Sequence, residues 1–300
     1  MSEPEQQPFT CAGVGLKAYE YLRDLDALGV RPARMISYRQ GTDQLSSFDS
    51  IADFCTENAI PLEESKRPSF APDELVFMVG WQYLVRDASS SLIVFHDSLL
   101  PKYRGFAPTV TAMINGESRI GVTALKPVIE VDAGPIIGQI AIQVRYPMAI
   151  ADALKMQAQS MSKLTINILA ACANGIPDGV PQNEEEATYS LWRDADDYWL
   201  DWSQSADRIA RTIDAVGPPY EGAHSLYNGQ EIIIRAAQAL RDVMFETRQP
   251  GKVWKLEDGA PVVVCGQGML KVIQAETASG QQVIFDRLRS RFSGQSHGFK

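Results

Sequence analysis

Two short, uninterrupted apolar runs, Leu75–Val79 (LVFMV) and Leu92–Phe95 (LIVF), set the tightest limit on how this chain folds. A strand with one wet face alternates apolar and polar residues, whereas a continuous run must be covered on both faces. Helical patterns lie around these runs to supply that cover. Phe9–Ala12 reads as a strand closed by Gly13 and Gly15, and Leu16, Tyr19, Leu22 and Leu25 then recur at helical spacing up to Gly29. Ala33–Tyr38 reads as a second strand, and Ser50 is placed to cap a helix carrying Ile51, Phe54 and Cys55 that ends before Pro61. Val122–Leu125 and Ile136–Val144 read as further strands. Leu154, Ala158, Met161, Thr165, Ile168 and Cys172 share one face of a long helix stopped by Gly175 and Pro177. Strands alternating with helices predict an α/β domain with a mostly parallel sheet.

The pattern changes near Pro181. Residues 181–187 (PQNEEEA) are polar and acidic and read as a linker. A helix is expected around Ser205–Ala215, followed by short strands, Glu231–Arg235 (EIIIR), Pro261–Cys265 (PVVVC) and Leu270–Gln274, separated by glycine-rich turns. This predicts two domains, residues 1–187 and a small β-barrel-like domain of residues 188–300, with a frayed tail from Ser293 to Lys300.

Composition narrows the class. The 300 residues are 45% hydrophobic and 22% charged, as in a folded protein of ordinary size. The opening MSEPEQQPF has neither a basic segment nor an apolar run, so no signal peptide is expected, and no stretch approaches the roughly 18 apolar residues of a membrane span. Cys11, Cys55, Cys172 and Cys265 stand far apart, with no CxxC pair; reduced, buried cysteines in a cytoplasmic protein, without a metal, are expected. The net charge of -9 disfavours a nucleic-acid partner, which calls for a basic face to displace the counterions around phosphate.

The chemistry concentrates between Leu92 and Gln139. His96 follows a buried apolar strand directly, and a turn containing Pro101 and Gly105 comes next. In open α/β sheets ligands bind at the carboxyl ends of strands, which is where His96 falls. Asp132 follows after a strand–helix–strand passage, just before Gly134. A carboxylate beside an imidazole orients the ring and favours its charged form, so the pair can take a proton from an attacking amine or steady a developing charge. A packed histidine at a strand end is the competing reading. Of the three histidines, His224 lies beside Pro218, Pro219 and Gly222 and His297 lies in the tail, which leaves His96 as the one with catalytic surroundings.

The segments HDSLLPKYRGFAP (from His96), NGE (Asn115–Glu117), GVTALKPVIEVDAG and IGQ together resemble the 10-formyltetrahydrofolate-dependent formyltransferases. That family includes methionyl-tRNA formyltransferase and the N-formyltransferases of nucleotide-linked amino sugars. VGWQYL (Val79–Leu84) is similar to the family's folate-side strand and loop. DWSQSADRI, the Pro219–Ala223 turn, NGQEIII and PGKVWKLEDGAPVVVCGQGML resemble its C-terminal barrel domain, so the likeness covers nearly the whole chain. The resemblance implies a Rossmann-like α/β domain followed by a small OB-like β-barrel domain. It implies attack of an acceptor amine on the formyl carbon of 10-formyltetrahydrofolate, with His96 as general acid/base and Asp132 as its carboxylate partner. It places the folate pterin against Tyr83, Leu84 and Val85 and against the backbone of Val128, Ile129, Glu130, Val131 and Asp132; strand-end packing is the other use for Tyr83–Val85.

One family residue is missing. The Asn expected two positions before the histidine is Val94 here. An aliphatic side chain cannot donate a hydrogen bond to a developing oxyanion, and losing one such donor costs on the order of 100- to 1,000-fold in rate. Gln82, on the neighbouring loop, is a candidate substitute. Three readings follow: a working formyltransferase, a folate- or nucleotide-binding member that has lost formyl transfer, or a related one-carbon or acyl reaction. Retention of His96, Asp132 and the SLLP turn favours the first.

For the acceptor, the loop Arg39–Ser50 (RQGTDQLSSFDS) has one Arg against two Asp, which with the net charge argues against tRNA. Lys102 and Arg104 are placed to meet a substrate phosphate, or are solvated turn charges. A nucleotide-linked amino sugar is therefore expected first, with N-hydroxyornithine or methionyl-tRNA as alternatives. Trp192, Tyr198, Trp199 and Trp202 either stack a base or pack between domains. No membrane partner is expected, and a homodimer through the C-terminal part is compatible with the class.

Overall fold

The computed structural model describes residues 7–40, 47–83, 91–172 and 175–295. They form two compact units, one of residues 1–108, 119–143 and 152–191, the other of residues 109–118, 144–151 and 192–300. In chain order the elements are β1 (Thr10–Gly13), α1 (Gly15–Ala27), β2 (Arg34–Ser37), α2 (Phe48–Glu57), β3 (Leu62–Glu64), β4 (Val76–Val79), β5 (Leu92–His96), β6 (Arg104–Gly105), α3 (Pro108–Asn115), β7 (Arg119–Leu125), β8 (Ile136–Gln143), α4 (Ile150–Ala171) and β9 (Tyr189–Ser190). Then come α5 (Ala206–Ala215), β10 (Ala223–Tyr227), β11 (Gln230–Leu240), β12 (Val253–Glu257), β13 (Ala260–Val264), β14 (Met269–Glu276) and β15 (Phe292–Ser293).

The first unit is built on a seven-stranded sheet in the order β3-β2-β1-β4-β5-β7-β8. β3 through β5 run parallel, and β7 and β8 complete the sheet antiparallel. The continuous apolar runs are the central strands β4 and β5, every residue of β4 being buried. Strand order reverses between β1 and β4, which makes the carboxyl ends of the central strands a topological switch point. One face packs Ile93 and Phe95 of β5 with Tyr21 and Leu22 of α1 and with Met161 and Leu164 of α4. Phe77 and Phe95 stack at 5.8 Å, and Phe9 meets Phe77 edge-on at 5.4 Å. The buried Tyr21 hydroxyl pairs with Thr165 Oγ1 at 2.7 Å, so the phenol costs no unsatisfied polar group.

One local expectation is corrected. α2 begins at Phe48, with Ser47 at the cap position making no side-chain bond, rather than at a Ser50 cap. Burial of Phe48 fixes the start of this helix in place of a capping hydroxyl. Residues 41–46 of the acidic loop lie outside the described residues; Arg39 in that loop pairs with Asp49 at 2.7 Å.

The second unit carries a six-stranded antiparallel sheet in the order β12-β13-β14-β11-β10-β15. Register breaks in β11 around Ala236 bend it into a half-barrel. Trp202 is core here: its Nε1–H donates to Ser225 Oγ at 3.0 Å and its ring lies 5.0 Å from Phe292. Trp199 packs beside His224 at 5.6 Å, whereas Trp192 is exposed, so these aromatics do not form one stacking surface. Ser293, expected to be frayed, pairs with Leu226 in β15, because burial of Phe292 anchors the strand; residues 296–300 lie outside the described residues. The four cysteines are free and buried, and burial pushes the Cys265 thiol up to about 12. Among the described residues no helix is long and apolar enough to cross a membrane.

Asp214 occupies the last turn of α5, where a negative charge opposes the helix dipole. Burial pushes its carboxyl up to about 6, against a hydrogen bond from the Met148 backbone. The folded state therefore holds this proton more tightly than the unfolded chain, whose carboxyl titrates near about 4. Stability contributed by the protonated form is lost as pH rises between those values. Asp214→Asn is expected to raise the urea midpoint at pH 7, with the gain shrinking to nothing below about pH 4. A gain independent of pH would refute this assignment.

Candidate active site

His96 is the last residue of β5 and pairs with Thr123 of β7. Side chains alternate along a strand, so Leu92, Val94 and His96 share one face while Ile93 and Phe95 enter the main core. The turn after His96 is pinned by polar side chains, two of them, Thr123 and Gln157, fully buried. Thr123 Oγ1 donates to the Ser98 carbonyl at 2.7 Å and accepts from the Leu100 amide at 3.2 Å. The Gln139 amide donates to the Leu100 carbonyl and to Thr123 Oγ1, both at 2.8 Å. The fully buried Gln157 donates to the carbonyls of Asp97 and Gly121 at 3.1 and 3.0 Å. Lys17 forms an ion pair with Asp97.

His96 is 7% exposed, and both of its ring nitrogens face acceptors. Nε2 lies 2.8 Å from the Tyr103 carbonyl, and Nδ1 lies 3.3 Å from Asp132 Oδ2. A carbonyl and a carboxylate only accept, so whichever ring nitrogen carries a proton has a partner for it. Asp132 Oδ2 also accepts from the Gly105 amide at 2.8 Å. Tyr103 and Asp132 have φ of 61° and 56°, in the left-handed region, where a non-glycine residue costs on the order of 1–3 kcal/mol. Gly105 approaches so closely that a Cβ there would sit 2.6 Å from the Ser190 carbonyl oxygen.

Arg104, expected either to meet a substrate phosphate or to be a solvated turn charge, is not solvated. It is only 2% exposed, and its guanidinium donates to both Glu184 carboxylate oxygens at 2.7 Å and twice to Gln182 Oε1, at 2.8 and 3.2 Å. Those hydrogen bonds hold the Glu184 carboxyl below the usual carboxylate range and raise the arginine. A phosphate would have to displace a bidentate carboxylate to reach it. Residues 181–187 are accordingly no free linker: they belong to the first unit, which continues to Leu191, and a buried arginine fixes them there.

A cleft of about 480 Å³ opens beside Asp132, lined by Arg104, Gly105, Val128, Glu130, Val131 and Tyr189, among others. Of the residues expected at the folate, Val128, Glu130 and Val131 line it, while Ile129 is 93% exposed. Tyr83 sits in a different cluster, its ring 5.3 Å from Tyr38, which in turn meets Trp81 at 5.2 Å. Leu84 and Val85 lie outside the described residues. Lys102 is exposed, its backbone carbonyl accepting from Ser98 Oγ at 2.6 Å. Gln82 is exposed and accepts from the Tyr38 hydroxyl at 3.4 Å. Val94 packs on a small apolar cluster that includes Ala12, Met78 and Leu92, and Trp81 packs on that same cluster with its Nε1–H buried and unpaired. No group of three or more metal-ligating side chains occurs among the described residues.

Two domain families match the chain, one described as formyl transferase over residues 77–167 and one as formyl transferase, C-terminal domain, over residues 193–288. The chain belongs to the formyl transferase family. Solved structures share the fold. WlaRD, a sugar 3N-formyl transferase crystallised in the presence of dTDP and 5-N-formyl-THF, is 16% identical, with a TM-score of 0.65 over 93% of this chain and 99% of its own. The N-formyltransferase from Helicobacter canadensis, in complex with folinic acid and dTDP-3-aminofucose, is 16% identical, with a TM-score of 0.65 over 92% of this chain and 99% of its own. HypX from Aquifex aeolicus, in complex with tetrahydrofolic acid, is 15% identical, with a TM-score of 0.61 over 92% of this chain and 45% of its own.

The residues that sequence reading missed in this formyl transferase are polar and distant in the chain: Thr123, Gln139, Gln157, Gln182 and Thr188. One signal was present for Gln182 and Glu184, since an arginine in a buried turn needs a carboxylate and the acidic run Glu184–Glu186 lies downstream. Arg104→Lys is expected to lower the urea midpoint, because an ammonium cannot span Glu184 and Gln182 as the planar fork does. A variant with unchanged stability but weakened binding of a nucleoside diphosphate would restore the phosphate-binding role.

Proposed function

We propose that this formyl transferase moves a formyl group from 10-formyltetrahydrofolate to an amine carried by a nucleotide-linked sugar. The observation that carries the reading is the His96 ring held between the Tyr103 carbonyl and the Asp132 carboxylate, with the chain neighbours of Asp132, Val131 and Ala133, lining the cleft. The cleft fits a flat, partly apolar co-substrate: Val128 and Val131 supply apolar wall on an exposed loop. The co-substrate supplies the formyl carbon that an amine attacks.

The protein's part is proton handling. An amine that displaces the Tyr103 carbonyl meets Nε2 of His96; with the ring neutral and its proton on Nδ1, Nε2 accepts the proton the amine must lose and returns it to the nitrogen of tetrahydrofolate as the bond to the formyl carbon breaks. Asp132 at Nδ1 compensates the charge that this places on the ring. Negative charge developing on the formyl oxygen needs a donor, which Val94 is not. The unpaired Trp81 N–H is a donor on the cluster that Val94 joins. A sugar nucleotide is preferred over tRNA because of the net charge of -9 and because two structural neighbours were crystallised with dTDP or a dTDP-sugar. We read the curved sheet of the second unit as OB-like.

The test is formyl transfer from 10-formyltetrahydrofolate to a panel of amino-sugar nucleotides. Wild type is expected to turn over, His96→Ala to lose about 100-fold or more in kcat, and Val94→Asn to gain up to about 100-fold. A folded wild type that is silent with every acceptor, while Val94→Asn is active, would mark a scaffold that has given up the reaction.

A further inference from the structure

Both acceptors that hold the His96 ring are themselves held by one short segment, residues 182–190. On the Asp132 side, the Gln182 amide donates to the Asp132 carbonyl at 2.7 Å and to the Gly134 carbonyl at 2.8 Å. Gln182 is fixed in turn by Arg104, which donates to its Oε1 while binding Glu184. On the Tyr103 side, the Tyr103 amide donates to Thr188 Oγ1 at 2.9 Å, and the next amide, Arg104, donates to the Thr188 carbonyl at 2.8 Å. The Thr188 amide donates to the Pro101 carbonyl at 3.2 Å, and Ser190 Oγ donates to the Phe106 carbonyl at 2.6 Å. The two-stranded pairing of β6 with β9 runs through the same place.

What this segment holds is strained. Tyr103 and Asp132 are both in the left-handed region, which a tyrosine disfavours and an aspartate tolerates better than most residues. Without outside bonds each peptide would relax, and the carbonyl and carboxylate that face the ring would turn away. Tyr103 and Asp132 lie far apart in sequence and on separate loops, so a single segment bonded to both also fixes their spacing. His96 makes no bond to the segment in the structure's hydrogen-bond network; it is held through its two partners.

We propose that residues 182–190 are a positioning strap for His96, with Gln182 and Thr188 as the residues that set its two ring contacts. The kinetic arm of this inference rests on the proposed formyl transfer; the structural arm does not. Gln182→Met and Thr188→Val remove the side-chain bonds with little change of volume. Gln182→Glu keeps an acceptor for Arg104 but turns a carboxylate toward two carbonyls. Trp202→Phe, in the core of the second unit, serves as a control for loss of stability alone.

The experiment is ¹⁵N NMR of the full chain labelled at histidine, whose three histidines give few signals. It is read beside thermal unfolding and, with an active acceptor, kcat and KM. In wild type, the His96 Nε2–H resonance is expected to be protected from exchange by the Tyr103 carbonyl. In Thr188→Val and in both Gln182 variants it is expected to shift and lose protection, with kcat falling about 10- to 100-fold and KM for the formyl donor changing much less. Trp202→Phe is expected to lower the melting temperature and leave the His96 signal alone. His96 signals unchanged in the strap variants, or moving only as far as they do in Trp202→Phe, would overturn the proposal. If wild type transfers no formyl group to any acceptor, the functional reading fails, and the NMR comparison still decides whether the strap positions His96.

Discussion

An imidazole with an acceptor at each nitrogen is the constraint around which the first unit is arranged. His96 has an acceptor at each ring nitrogen, and the chain supplies them from residues 103 and 132, both in the left-handed backbone region. Such strain persists only where the surroundings over-determine it. Here they do so with polar side chains: Thr123, Gln139 and Gln157 fix the turn after β5, and Arg104, Gln182 and Glu184 fix the return past Asp132. The parallel core beneath is ordinary packing. Its contribution to function is to end β5 at the carboxyl edge of the sheet, next to the point where strand order reverses.

Val94 separates two properties that usually travel together at such a site. The pair proposed to handle the proton is braced, while the position on the same strand face that would carry a polar donor is apolar and packed against Ala12, Met78 and Leu92. Oxyanion stabilisation is often the largest single catalytic contribution, and proton transfer contributes independently of it. A chain with the second and without the usual form of the first must recruit another donor or run slowly. The buried, unpaired indole N–H of Trp81 on that cluster is the structural counterpart of this need.

Local signals carried well from sequence to structure. The uninterrupted runs at Leu75–Val79 and Leu92–Phe95 became the central strands because only a doubly covered strand tolerates such composition. The face Leu154–Cys172 became the buried side of α4 because its spacing follows the helical repeat. The juxtaposition of His96 with Asp132 was legible only through the HDSLLPKYRG and VDAG segments, since nothing in periodicity brings two loops together. The strap was misread as a linker because PQNEEEA looks solvated; its meaning lies in contacts about eighty positions away along the chain, which leave no periodic trace. The burial of Arg104 was hidden for the same reason, since a turn arginine shows it only once its partner is placed.

The most direct measurement is a crystal structure of the chain with 5-formyltetrahydrofolate, a stable relative of the formyl donor. The expected result is the pterin in the cleft beside Val128 and Val131, with the formyl group within hydrogen-bond reach of His96, roughly 3 Å, and the Asp132 contact at Nδ1 preserved. A folate bound elsewhere, or a cleft that takes none while His96 stays capped by the Tyr103 carbonyl, would contradict a catalytic role for the pair.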